Sequence, residues 1–212
     1  MTPDSTAAAT PRDDDEFVNI YENRVAGATA NPLMPDPNEH DEAFAIAANR
    51  ALRDAAELVR RIIPSHQSAV GVMVDGDWTT LRKFFSLSPK YRQWADYATP
   101  ATGYGTHGWL LKQTGSVRFT QQELEAHPEW KGFGNQASAH PPMRGWLATP
   151  IIDSHGVHWG LIQLSDRETG DYTQHDEDTL NQFADLIALA LEALWDVRNL
   201  QVDAAHEAGA SR

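Results

Sequence analysis

The stretch His140–Asp166, HPPMRGWLATPIIDSHGVHWGLIQLSD, decides the fold. Two apolar runs, Gly145 to Ile152 and Val157 to Leu164, flank Asp153-Ser154-His155-Gly156. An Asx/Gly cluster between two strand-like runs supplies the positive φ that a tight turn needs, so the spacing predicts a β-hairpin. Both strands are apolar through most of their length, which places them at the centre of a sheet covered on at least one face. Ahead of the hairpin, His-Pro-Pro-Met-Arg forms a loop that carries His140 to the sheet's edge.

Outward from this core, the preceding chain supplies one helix and a second hairpin. Phe44, Ile46, Ala47, Ala51, Leu52, Ala55, Leu58, Val59 and Ile62 recur at helical spacing over Asp41–Ile63, and Pro64 closes the run. Ser68 to Val74 is β-branched and apolar, Asp75-Gly76-Asp77 is a turn signal, and Trp78 to Leu87 returns as the partner strand, forming one edge of the sheet. Ser88 to Gly108 reads as a long aromatic loop, with a helical turn over Trp109–Gln113 and a short strand over Val117–Thr120. Thr120-Gln121-Gln122-Glu123 is a capping box opening a brief helix.

Beyond the central hairpin, Thr173 is the expected N-cap of a long last helix. Asp176, Glu177 and Asp178 sit in its first turns, where the helix dipole favours them. Its apolar stripe runs from Leu180 through Trp195. The predicted class is α+β: an antiparallel sheet with the N- and C-terminal helices on one face and a loop-enclosed pocket on the other. Residues 1–40, rich in Pro and acidic side chains, read as a flexible arm, 41–200 as the domain, and 201–212 as a flexible tail.

Composition narrows the function. Thirty acidic residues against 17 basic give a net charge of −13, which argues against nucleic-acid binding and against docking on an anionic membrane. With no cysteine, disulfides, thiolate nucleophiles and cysteine-held metals are excluded. The start of the chain lacks signal-peptide character, so a cytoplasmic location is expected. Gly103-Tyr104-Gly105-Thr106-His107-Gly108 is glycine-rich but lacks the lysine of a phosphate-binding loop. His155 and His158, in and beside the hairpin turn, read as solvent-facing and unpaired with any carboxylate at metal-binding spacing. Tyr104, Trp109, Phe133, Met143, Trp146 and Gln163 are the candidate pocket lining.

Several separated motifs resemble a GAF domain of the bacterial sensor histidine kinase type. They are LEAHPEWKGFG over Leu124–Gly134, HPPMRGWLATP over His140–Pro150, GLIQLSDR over Gly160–Arg167, and Tyr172 followed by Asp176-Glu177. The resemblance implies a small-ligand sensor that dimerises through its terminal helices, an interface that an exposed apolar stripe of Leu191, Leu194 and Trp195 on the last helix would support. With about a dozen residues after the last helix, it is expected to signal in trans through a separate protein. The HPPMR stretch is similar to the haem-binding GAF domain of mycobacterial dormancy sensor kinases, which implies haem as cofactor and His140 as the axial ligand of its iron. That family's distal tyrosine falls at Gln163 here. The resemblance leaves two other readings open: a small haem-dependent enzyme on this scaffold, or a ligand-free interaction module. The methionine sulfoxide reductases and bilin-binding members of the family work through cysteines, which this chain lacks.

Overall fold

The computed structural model describes residues 39–74, 77–94, 105–132 and 142–210. In chain order these form α1 (Glu39–Ile62), β1 (Ser65–Val74), β2 (Asp77–Leu87), a 3-10 turn (Pro89–Trp94) and α2 (Gly105–Leu110). There follow β3 (Val117–Phe119), α3 (Gln121–Ala126), β4 (Trp146–Ile152), β5 (His158–Arg167) and α4 (Gln174–Ala210). The strands make one antiparallel sheet in the order β2-β1-β5-β4-β3. The predicted α+β architecture is the one observed, with β2 at one edge and the β4–β5 hairpin in the interior.

Strand alternation divides the sheet into two faces. Val70, Phe84, Leu147, Ile151, Ile162 and Leu164 point to one side and pack with Leu52, Ala56 and Val59 of α1 and Leu180, Ile187 and Leu191 of α4. Trp146, Ala148 and Leu161 point to the other, where they meet Leu110, Leu111, Leu124 and Met143. Polar groups tie the helix layer down: the Ser68 hydroxyl donates to the Ala56 carbonyl, and the Tyr172 hydroxyl to Ser65 Oγ at 3.1 Å.

The ends of the elements follow local chemistry. Thr120 and Glu123 form the predicted capping box, each accepting a hydrogen bond from the other's backbone N–H. Thr173 and Asp176 repeat this arrangement at the start of α4, at 2.7 and 3.2 Å. Arg167 Nε then joins Asp176 Oδ2 at 3.0 Å, tying the end of β5 to the helix. Burial works against ionisation of the Asp176 carboxyl, but bonds from Thr173 and Arg167 outweigh it and leave its pKa below the usual carboxylate range. Pro150 is tolerated in β4 because β3 pairs with that strand only over Trp146–Ala148, so no ladder donor is missed on that edge.

Two expectations change. Gln201–Ala210, read as part of a polar tail, continues α4, and its alanines are strong helix formers. Leu191, Leu194 and Trp195, expected as an exposed stripe, face the sheet instead: Leu191 is buried, and the other two pack against the main core.

The β1–β5 pairing depends on Gly160. A Cβ there would lie 1.9 Å from the Gly71 carbonyl oxygen, a backbone atom with no rotamer to change. Gly160→Ala should therefore cost about 3 kcal/mol or abolish folding, as expected for a steric insult at a buried backbone position. Urea unfolding followed by circular dichroism measures it, and a midpoint equal to the parent's would contradict this account.

Candidate functional site

The face of the sheet turned away from α1 and α4 carries polar groups that no hydrophobic core requires. Gln163, at the middle of the central strand, is only 4% exposed. Its Oε1 accepts from the Trp146 indole Nε1–H at 2.7 Å and bonds His107 Nε2 at 2.6 Å. A carboxamide oxygen can only accept, so His107 carries its hydrogen on Nε2. The His107 and Trp146 rings meet edge to face with centroids 5.6 Å apart. Three side chains from α2, β4 and β5 are thereby locked in one geometry.

Cross-strand register sets what lies beside this group. One row runs Phe85–Ala69–Gln163–Ala148 from β2 to β4, and the next runs Lys83–Gly71–Leu161–Pro150. Ala69, Ala148 and Gly71 are the small residues of these rows, and Gly71 is a strand glycine of the kind that marks a close approach. Gln67, two residues before Ala69 and on the same face by alternation, is 2% exposed, and its Oε1 has no hydrogen-bond partner among the described residues. Lys83, half-buried on β2, has its pKa pulled down to about 8 by desolvation.

Of the six predicted lining residues, the structure unites three. Trp146 and Gln163 are hydrogen-bonded to each other, and Met143 is buried in the same cluster. Trp109, partly buried, packs against the outside of that cluster, its ring centroid 4.6 Å from His127 and 6.3 Å from Phe119. His127 is the C-cap of α3. Tyr104, Phe133 and the expected iron ligand His140 lie outside the described residues. His107, Gln67 and Lys83 escaped the sequence reading. His107 was visible only as part of a glycine-rich run, and strand parity was the one available signal for the other two.

At the sheet's end, Asp166 takes a left-handed backbone, φ 55°, and its carboxylate receives Lys90 Nζ at 2.6 Å and the Tyr91 hydroxyl. Burial opposes ionisation of Asp166, yet these two donors hold its pKa below the ordinary value, while burial and the neighbouring carboxylate push the Tyr91 phenol up.

The hairpin turn corrects one expectation: His155 does meet carboxylates, lying 3.2 Å from Glu192 of α4 and close to Asp153. Sequence spacing could not show this, because Glu192 comes from a distant helix. Asp153 accepts from the N–H groups of His155 and Val157 and from Trp159 Nε1, and Glu192 accepts from Ser154 Oγ at 2.6 Å. These bonds make the group a clamp on the turn. His158, expected to face solvent, is instead partly buried, and desolvation lowers its pKa despite the nearby Asp153.

The five-stranded antiparallel sheet thus carries terminal helices on one face and a buried polar group on the other. The GAF domain model matches residues 48–191. The chain belongs to the GAF family. Several solved structures share the fold at low identity. The blue-light absorbing form of the Thermosynechococcus elongatus PixJ GAF domain is 13% identical, with a TM-score of 0.57 over 77% of this chain and 96% of that one. Residues 122 to 287 of a methyl-accepting chemotaxis protein give 14% and 0.57, over 70% and 91%. The type II free methionine-R-sulfoxide reductase of Thermoplasma acidophilum gives 15% and 0.52, over 71% and 96%. No curated protein matches the chain. No described helix is long and apolar enough to cross a membrane.

Gln163→Leu removes the acceptor of a buried indole N–H and of His107 together. Each stranded donor costs about 1–3 kcal/mol, so the variant should lose at least about 2 kcal/mol in denaturant unfolding, with a changed Trp146 indole resonance. A loss under about 0.5 kcal/mol, the size of an ordinary surface substitution, would show that the group is not built as described.

Proposed function

We propose that this GAF domain is a small-ligand sensor whose ligand lies on the sheet face bearing Gln163. The observation that carries this reading is the buried Gln163–His107–Trp146 group at the centre of that face. Such a convergence of polar atoms on an otherwise apolar wall is how small-molecule sites fix orientation.

Within this reading, b-type haem is the specific ligand that the HPPMR resemblance favours. His107 is turned to Gln163 through Nε2, so the iron ligand on this account is His140. Met143, three residues on, is buried against Trp146 and Leu161, and the apolar wall they form suits a flat porphyrin. Gln163, which takes the place of that family's distal tyrosine in the resemblance, has its carboxamide oxygen held by two partners. A bound haem would supply diatomic gas binding; the chain's part would be to hold the iron through His140, with Gln163 offering a carboxamide for hydrogen bonding. The protein expressed with a haem precursor should show an intense Soret band that is lost or displaced in His140→Ala. If the parent shows no Soret band, haem is wrong and the ligand is an organic molecule on the same face.

The signalling form on this reading is a homodimer through the terminal helices. Leu186, Ala190, Ala193, Val197, Leu200 and Ala204 recur along α4 at alternating spacings of four and three residues. That is the period of a two-helix seam. Leu186, Val197 and Leu200 are 63%, 52% and 69% exposed, and Ile46, Leu58 and Ile62 of α1 are also open. A two-fold pair lets the stripe cover itself, because an isologous contact requires a self-complementary face. Val197→Glu with Leu200→Glu should convert a dimer into a monomer in sedimentation equilibrium while far-UV circular dichroism stays unchanged. An unchanged mass, or a monomeric parent, would place the partner of this stripe elsewhere.

A further inference from the structure

We propose that the ammonium of Lys83 is the anchor for a carboxylate on the ligand. This deepens the small-ligand reading above and rests on it.

Phe84 points into the helix-side core, so its neighbour Lys83 points to the opposite face, directly across β1 from Gly71. The glycine presents no side chain, and Leu161 follows in the same row. Lys83 is therefore set into the floor of the ligand face, beside its narrowest residue. No carboxylate among the described residues pairs with it, whereas Lys90 is bonded to Asp166 and Lys131 to Glu129. In a chain with 13 more acidic than basic residues, an unpaired half-buried lysine is the exception. Its lowered pKa has desolvation as its one cause, which is the signature of a cation lacking its counter-ion.

Gln67 supplies a second, independent sign on the same face. Its buried Oε1 has no donor among the described residues, although a buried carboxamide oxygen is ordinarily bonded. A ligand with a carboxylate at one pole and a hydrogen-bond donor at another would satisfy both groups. The charge balance selects a carboxylate over a phosphate. Of the arginines flanking this face, Arg118 is engaged by Glu177 and Arg144 is exposed, so among the described residues a single ammonium faces the ligand. One cation matches one monoanion, whereas phosphate sites gather several donors.

The test uses the full chain, whose only lysines are Lys83, Lys90, Lys112 and Lys131. Reductive ¹³C-methylation gives a spectrum with these four side chains, Lys83→Met assigns the resonance of interest, and the Trp146 indole ¹H–¹⁵N resonance reports on the face itself. The protein is titrated with acetate, and separately with neutral acetamide, at an ionic strength held constant with potassium chloride. Acetate should raise the Lys83 titration midpoint by about one pH unit or more, the effect of an opposite charge at contact distance, with the other three lysines unmoved. Acetamide should leave that midpoint in place. If both probes move the Trp146 resonance while Lys83 stays put, the face binds ligands but the anchor assignment is wrong. If neither resonance responds to acetate, or all four lysines shift together, the carboxylate site is overturned.

Discussion

The structure depends on the register of one strand that is buried on both sides. Trp159 to Asp166 of β5 are buried without a break. In such a strand, alternation alone decides which residue serves which face. Ile162 and Leu164 go to the helices, and Leu161, Gln163 and Ser165 to the other side. A slip of one residue would drive Gln163 into the hydrocarbon between α1 and α4 and bring Leu164 out among His107 and Trp146. Neither face could absorb the exchange, so the fold must exclude it.

Three local devices do so, and each sits where sequence chemistry is least replaceable. Asp153 accepts two backbone N–H groups within the hairpin turn and the Trp159 indole beyond it, which fixes the start of β5. Gly160 admits the Gly71 carbonyl at a distance that no side chain would permit. At the far end, Asp166 adopts the left-handed backbone that Asx residues tolerate better than most, and Lys90 and Tyr91 hold its carboxylate there. The adjoining Arg167–Asp176 bond then carries the register into the first turn of α4. This pair is partly screened by solvent, so its value lies more in direction than in energy.

The fold was legible because its signals are local and periodic. The hairpin turn, the capping box at Thr120 and the acidic start of α4 each follow from a few neighbouring residues. Gln163 and Trp146 were also readable, as a polar residue and an aromatic in strands that alternation assigns to a face. What the sequence could not display was convergence. His107 reaches Gln163 across 56 positions, Glu192 reaches the hairpin turn across 38, and Lys83 becomes conspicuous only when β2 is paired with β1 opposite a glycine. The α4 stripe failed for a different reason. Two apolar stripes share that helix, and a periodicity that identifies an amphipathic surface does not say which stripe meets the sheet.

The polar groups of the face bearing Gln163 bear on function. On the helix side, Ser68 finds an acceptor within the layer, while Asn49 of α1 buries a donor that has no partner among the described residues. On the opposite face, among the described residues, Lys83 gives up hydration without a counter-ion and Gln67 buries an acceptor without a donor. Desolvation of this kind opposes folding, and an apolar residue at either position would relieve it. A fold that is otherwise locally consistent keeps such costs where they serve a site. A ligand that satisfies these groups binds the folded chain and not the unfolded one, so the cost it removes returns as stability in proportion to its occupancy. The polar groups left open on this face therefore give the domain its means of distinguishing the bound state from the free one.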